Sequence, residues 1–237
     1  MISPNVERVV SLGSDVIVRT DLAKLVNHLS NEYSIGGVNI PQFHIDRCNN
    51  NPKLKAYYDS VGWDVANGFN TDVLIFNLKK IRGEKTLPDK ALNYLHEHPN
   101  TRELEQEVFN IIFKDDIYYL DERYNLLTGW DTISPSTKSI TDFHDTILHY
   151  CGGIKPWDIY MGIADLEYWY YLSLTPWGDN GQAFLLMRNV LPTTSDITMD
   201  IDRWIDIYPL KMKIRVLLRL TIPLYWKILM YYKRHYL

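Results

Sequence analysis

His149-Tyr150-Cys151-Gly152-Gly153-Ile154-Lys155-Pro156-Trp157 is the stretch on which the fold turns. It follows the apolar, strand-like run Thr146-Ile147-Leu148 and sets an imidazole, two glycines and a lysine within seven positions. Each part suits a metal-bound diphosphate. A neutral imidazole can ligate a divalent cation, glycines let backbone N–H groups come close to phosphate oxygens, and a lysine is a point charge for a departing phosphate. The order of these residues carries more than their composition, because a lone histidine after a strand is ordinarily structural.

Working outward, Val6 to Val18 consists of two β-branched runs flanking Gly13-Ser14-Asp15, which predicts a buried strand, a sharp loop and a short second strand. Taken alone, a solitary aspartate at that break is a turn residue. Asp21 then caps a helix beginning Leu22-Ala23-Lys24-Leu25-Val26. Tyr33 to Ile40 reads as a strand and 41 to 52, with Pro41 and Asn49-Asn50-Asn51, as a loop. Cys48, His44 and Asp46 match no standard zinc spacing. A short helix follows from Pro52 to Asp59. Phe69-Asn70-Thr71-Asp72-Val73-Leu74-Ile75-Phe76-Asn77-Leu78-Lys79-Lys80 is a mostly apolar run of strand length bounded by polar residues. Pro88–His98 and Thr101–Phe113 read as helices, the second capped by Thr101, with Glu105 and Glu107 on a face that composition alone would make solvated. Ile117–Leu120 is a short strand, and Tyr160–Thr175 a helix whose aromatic stripe suits packing.

The pattern His-Tyr-x-Gly-x-x-Lys-Pro-Trp resembles the C-terminal signature of glycosyltransferase family 8, retaining enzymes of the GT-A fold that include lipopolysaccharide and lipooligosaccharide galactosyl- and glucosyltransferases. The resemblance covers residues 6 to about 177. It implies an α/β, GT-A-like fold, a mixed sheet with flanking helices, and transfer of a hexose from a UDP-sugar to a saccharide or lipid-linked acceptor. By position it makes His149 a ligand of Mn2+ (or Mg2+), and gives Gly152 and Lys155 the nucleotide-sugar diphosphate. Phe69 to Lys80 is similar to the family's Phe-Asn-Ser/Ala-Gly-Val-Leu-Leu-Ile-Asn-Leu-Lys-Lys, so Asn70 inherits a place facing the donor sugar. Glu105-Gln106-Glu107-Val108-Phe109-Asn110 resembles Asp-Gln-Asp-x-x-Asn, which implies that Glu105 holds donor hydroxyls and Gln106 lies under the anomeric carbon. Glu122-Arg123-Tyr124-Asn125 matches the turn before the family's acceptor loop.

Three departures accompany the resemblance. The family's Asp-x-Asp metal motif falls on Gly13-Ser14-Asp15, leaving Asp15 as its one surviving ligand; restoring the first aspartate by Gly13→Asp is then expected to tighten Mn2+ binding. Asp72 replaces a glycine and is expected to repel the donor diphosphate. The β/α units that precede the metal motif in family members are not in the chain, so weak UDP binding is expected. The competing expectation is a non-catalytic or truncated homologue that binds a partner.

The 237 residues, 46% of them hydrophobic, can bury a substantial core. Two cysteines make no disulfide framework, and no N-terminal apolar segment reads as a signal peptide, so a cytoplasmic protein is expected. Residues 209–237 carry seven Lys or Arg and no Asp or Glu; subtracting these from the net charge of −4 leaves −11 on residues 1–208. That asymmetry divides a transferase-like segment, 1–208, from a basic, aromatic tail, 209–237. The tail has no uncharged run near the roughly 20 residues needed to span a bilayer, and its pattern predicts a helix lying on an anionic membrane, on the inner face. No nucleic-acid partner is expected.

Overall fold

A computed structural model describes residues 2–84, 87–128, 143–158 and 163–177. They fall into two compact units, one holding the described residues up to Leu127 with His144–His149, the other the described residues that remain.

In the first unit β1 (Arg8–Leu12) and β2 (Val16–Val18) flank the polar break, as the sequence predicts, and then part company into different sheets. The larger sheet adds β3 (Ile35–Asn39), β4 (Phe69–Asn77) and β5 (Ile117–Tyr119), in the order β1-β4-β3-β5. β4 runs antiparallel to both β1 and β3, while β3 and β5 are parallel. The smaller sheet sets β7 (Ile147–His149) between β2, antiparallel, and β6 (Leu126–Leu127), parallel.

Alternation along β4 divides the core. Val73 and Ile75 join a cluster with Leu25, Leu29, Val38 and Ile147, and Leu74 joins another with Ile35, Phe69 and Phe113. Burying each such side chain contributes about 1.5–3 kcal/mol. Leu25 and Leu29 come from α1 (Leu22–His28) and the residue that ends it, and Asp21 caps that helix by accepting from Ala23 N–H. The opposite cluster is covered by α6 (Leu104–Ile112). The pairing of β4 with β3 is irregular at one point: Gly37 faces Leu74 but Val38 faces Asn70, so Thr71, Asp72 and Val73 are passed over on the β3 side. Bulges of this kind re-aim side chains and bend the strand. Here the bend falls where β4 meets the Gly13 break, whose N–H donates to the Asp72 carbonyl at 2.7 Å.

Between β3 and β4 lie α2 (Gln42–Asn49) and α3 (Pro52–Val61). The sequence predicts a loop over 41–52, and most of it is instead α2. No side chain caps this helix, so the usual start signal is missing. It is held by packing, with Cys48 buried among Tyr58, Trp63 and Val65, and by Gln42 donating to Asp46 one turn on. Cys48 is thus a core residue, which agrees with rejecting a zinc site. α3 begins with Asn51 as cap and Pro52 in the first turn, and stops at Gly62, whose φ of 75° only glycine adopts without strain.

After β4 come α4 (Leu78–Gly83), capped by Asn77, and α5 (Leu87–Glu97). Thr101 does not cap α6: the helix starts at Leu104 after Glu103, with no side-chain cap. The preceding turn is tied up otherwise, because Glu107 accepts from Arg102 N–H at 3.2 Å and from the hydroxyls of Tyr57 and Tyr94 at 2.8 Å. Glu107 is therefore fully buried, while Glu105 is exposed. Burial, together with the bond to Glu107, pushes the Tyr94 phenol far above its ordinary range.

In the second unit the described residues include α7 (Ile163–Ser173). Tyr150, buried, donates its hydroxyl to the Ala164 carbonyl at 2.7 Å, and Tyr168 packs against both Tyr150 and Trp157. Trp169 is buried as well, so the aromatics of this helix serve packing. Residues 160–162 and the whole of 209–237, with the predicted membrane-surface helix, lie outside the described residues.

Candidate active site

Four side chains of the first unit, Gln106, Asn70, Asn125 and His149, form one continuous hydrogen-bonded chain. Its polarity is set by the backbone. The Asp72 N–H donates to Asn70 Oδ1 at 3.0 Å, and an N–H can only donate, so that end of Asn70 is fixed as the acceptor. The same oxygen accepts from Asn125 Nδ2 at 2.7 Å, which turns Asn125 Oδ1 toward His149 Nδ1 at 2.9 Å. An amide oxygen cannot donate, so Nδ1 carries a proton, and in the neutral imidazole it is Nε2 that presents a lone pair. At the other end Asn70 Nδ2 donates to Gln106 Oε1 at 3.1 Å, leaving the Gln106 amide N–H2 as the end offered outward.

The scaffold makes this chain rigid. Asn110, buried on α6, accepts from the Phe69 N–H and donates to the Phe69 carbonyl, each at 2.8 Å, and so fastens the start of β4 to the helix that carries Gln106. Asn125 ends a 3-10 turn, Glu122–Asn125, started by Asp121, whose side chain accepts from Arg123 N–H at 3.0 Å. That backbone bond, ahead of the Arg123 guanidinium, holds the Asp121 carboxyl below the usual carboxylate range even though burial opposes it. His149 ends β7 and is 1% exposed.

His149 Nε2 faces two carboxylates. Asp72 Oδ2 lies 3.4 Å away and Asp15 Oδ1 3.7 Å away, and one ligand atom from each residue falls within 4.8 Å of the others. The imidazole forms a closed floor, and the carboxylates, Asp15 at 20% and Asp72 at 36% exposed, form an open rim. Ligand atoms held by one ion at about 2.1 Å stand roughly 3 Å apart when adjacent, so the carboxylates would draw in toward the imidazole, Asp15 further than Asp72, to seat an ion of Mg2+ or Mn2+ size. Two carboxylates and one imidazole with its second nitrogen anchored are a donor set such a cation takes.

Of the residues the sequence singles out, Asp15, Asn70, Gln106 and His149 thus meet in one connected site, whereas Glu105 is exposed on α6 outside the hydrogen-bonded chain. Gly152 and Lys155 belong to the second unit. Gly152 has φ of 93° and open space where a Cβ would stand, and Lys155 Nζ donates to the Tyr150 carbonyl at 2.6 Å. Sequence reasoning passes over Asn125, which looks like an ordinary turn residue, and sets Asp72 against the diphosphate without seeing that its carboxylate lies beside Asp15 and His149. The one available signal for Asn125 is its place in the turn motif at 122–125.

Comparison with solved structures supports this reading of the fold. The crystal structure of glycosyltransferase GlyE from Streptococcus pneumoniae superposes with a TM-score of 0.52 at 27% identity over 81% of this chain and 46% of that one. The galactosyltransferase LgtC, solved with donor and acceptor sugar analogues, gives 0.50 at 20% identity over 84% and 66%. The class is therefore an α/β protein of the GT-A glycosyltransferase fold. In sequence, GlyE is 31% identical over 178 residues, 72% of this chain and 38% of GlyE, and the lipopolysaccharide 1,2-glucosyltransferase of Escherichia coli is 25% identical over 73% of this chain and 51% of its own length. The chain spans about two fifths of the one relative and half of the other. Residues 1–160 match the model of glycosyl transferase family 8, and the chain belongs to that family.

Proposed function

We propose that the chain carries out metal-dependent transfer of a hexose from a UDP-sugar, with retention at the anomeric carbon, to a saccharide or lipid-linked acceptor of the cell surface. The observation that supports this most is the polarised amide chain, which joins the donor-sugar positions Asn70 and Gln106 to an imidazole aimed at a carboxylate pair. In this reading Asp15 and His149 hold Mn2+ or Mg2+, which when bound supplies positive charge beside a departing diphosphate. Gly152 offers bare backbone to phosphate oxygens and Lys155 a cation. Gln106 turns its amide N–H2 toward the sugar, and Glu105 would reach donor hydroxyls only with donor in place. A lipopolysaccharide-type acceptor is favoured by the name of the E. coli relative.

Incubating the chain with UDP-galactose or UDP-glucose and Mn2+ is expected to release UDP, and chelation by EDTA is expected to stop the release. Product anomers are read by NMR. Metal binding without turnover for any UDP-hexose would favour a non-catalytic sugar-nucleotide binder. Failure to bind metal at all would remove the reading.

We further propose that residues 209–237 seat the protein on the cytoplasmic face of an anionic membrane. Among the described residues no helix is long and apolar enough to cross a membrane. The tail's seven basic residues each contribute about 1 kcal/mol near an anionic leaflet, over a Debye length of about 8 Å. Sedimentation with phosphatidylserine vesicles is expected to capture the chain in low salt and release it as salt rises. Equal capture by neutral vesicles would contradict the electrostatic account.

A further inference from the structure

We propose that Asp72 is the third protein ligand of the cation, standing in for the carboxylate missing at Gly13, and that the two positions exclude one another. The inference rests on the metal-dependent reading above and names a residue that reading does not use.

Gly13 and Asp72 are neighbours across the β1–β4 edge. The Gly13 N–H donates to the Asp72 carbonyl at 2.7 Å, and the Asp72 N–H is held by Asn70 Oδ1 at 3.0 Å. With both of its peptide groups engaged, Asp72 has a fixed Cα and a side chain that can swing only about its own bonds. The volume this side chain fills is the one a side chain on Gly13 would need. A Cβ built on Gly13 would stand 2.5 Å from Asp72 Oδ1, 3.2 Å from Asp72 Cβ and 3.1 Å from Asp15 Oδ1. A Cβ there therefore requires the Asp72 carboxylate to swing away from its present place, and the two longer contacts require a smaller shift. The family pattern has a carboxylate at the first position and bare backbone at the second; here the carboxylate enters from β4 and the bare backbone is at Gly13. Because the β4 bulge lies at Thr71 to Val73, the carboxylate reaches a point 3.4 Å from His149 Nε2.

On this proposal two outcomes differ from the sequence-based expectations. Asp72 is a member of the cation cluster, a carboxylate beside a cation rather than one opposing the diphosphate. Gly13→Asp alone does not restore a site: it crowds a third carboxylate against Asp15 and Asp72, and like charges at that spacing repel.

The test is titration of Mn2+ alone, followed by the electron paramagnetic resonance of the free ion. Asp72→Asn, nearly isosteric and on a part-exposed side chain, is expected to weaken Mn2+ binding by more than about 100-fold, beyond the 10- to 100-fold of outer-shell changes. Gly13→Asp alone is expected to give no gain. Gly13→Asp combined with Asp72→Gly is expected to recover most of the affinity, a non-additive result. If Asp72→Asn binds as wild type while Asp15→Asn and His149→Gln lose the ion, the role of Asp72 is overturned and the metal site stands. If all three bind as wild type, or the unmodified chain takes up no Mn2+, the metal-dependent reading falls with it. Tighter binding by Gly13→Asp alone would overturn the exclusion. Near-UV circular dichroism separates loss of binding from loss of fold.

Discussion

His149→Ala is expected to cut metal-dependent release of UDP by roughly a thousandfold or more. A cation's stabilisation of developing charge is worth several kcal/mol, and each 1.36 kcal/mol is a factor of ten in rate. The amide chain commits Nδ1 to Asn125, so Nε2, which faces Asp15 and Asp72, is the nitrogen that would meet the cation, and alanine offers nothing in its place. The variant also leaves Asn125 Oδ1 buried without its donor, at a cost of about 1–3 kcal/mol in stability. Activity must therefore be compared on protein shown by thermal melting to be folded at the assay temperature. His149→Gln keeps a donor for Asn125 and separates the two effects. Turnover by a folded His149→Gln protein equal to wild type would remove the imidazole from the mechanism.

Asn125→Leu is expected to weaken Mn2+ binding by about 10- to 100-fold while leaving every ligand in place. Leucine removes the acceptor that fixes the His149 tautomer, and the imidazole is then free to put its proton on Nε2, facing the carboxylates. Asn125→Asp divides the role. Its carboxylate still accepts from Nδ1, but its other oxygen meets Asn70 Oδ1, which the Asp72 N–H pins in place. Asn125→Asp is expected to keep more of the metal affinity than Asn125→Leu and to lose stability. Equal metal affinity in Asn125→Leu and wild type, measured by calorimetry, would show that the histidine needs no orienting partner.

What could be read from the chain alone follows how local each signal is. β4 was legible because the unbroken apolar run Val73 to Phe76 within its nine residues carries its own pattern, and α1 because Asp21 caps it two residues from the N–H it accepts. α2 was not, since it lacks a side-chain cap and stands on tertiary burial of Cys48. The Thr101 cap failed for a similar reason: Glu107, buried beneath the turn, takes the Arg102 N–H, and the helix begins only at Leu104. In the site, Asp15, Asn70, Gln106 and His149 were reached through the spacing of their motifs. Asn125 was not, because its partners lie 24 and 55 positions away and a turn asparagine advertises neither. The proximity of Asp72 to the cluster was hidden for the same reason. Read along the strand it is a charge where bare backbone is expected, and only the pairing across to Gly13 supplies the reason.

The amide chain described above conducts orientation and not protons. A primary amide at neutral pH neither gives up nor takes on a proton readily, so the Nδ1 hydrogen of His149 has no route outward through Asn125, Asn70 and Gln106. The imidazole is insulated on that side. With a cation on the other nitrogen it could serve neither as an acid nor as a base, and the pH dependence of turnover would come from other groups. Its Nδ1 proton is expected to exchange slowly with deuterated solvent, as a persistent, far-downfield imidazole resonance in NMR that Asn125→Leu abolishes; fast exchange in the unmodified protein would show that the chain opens.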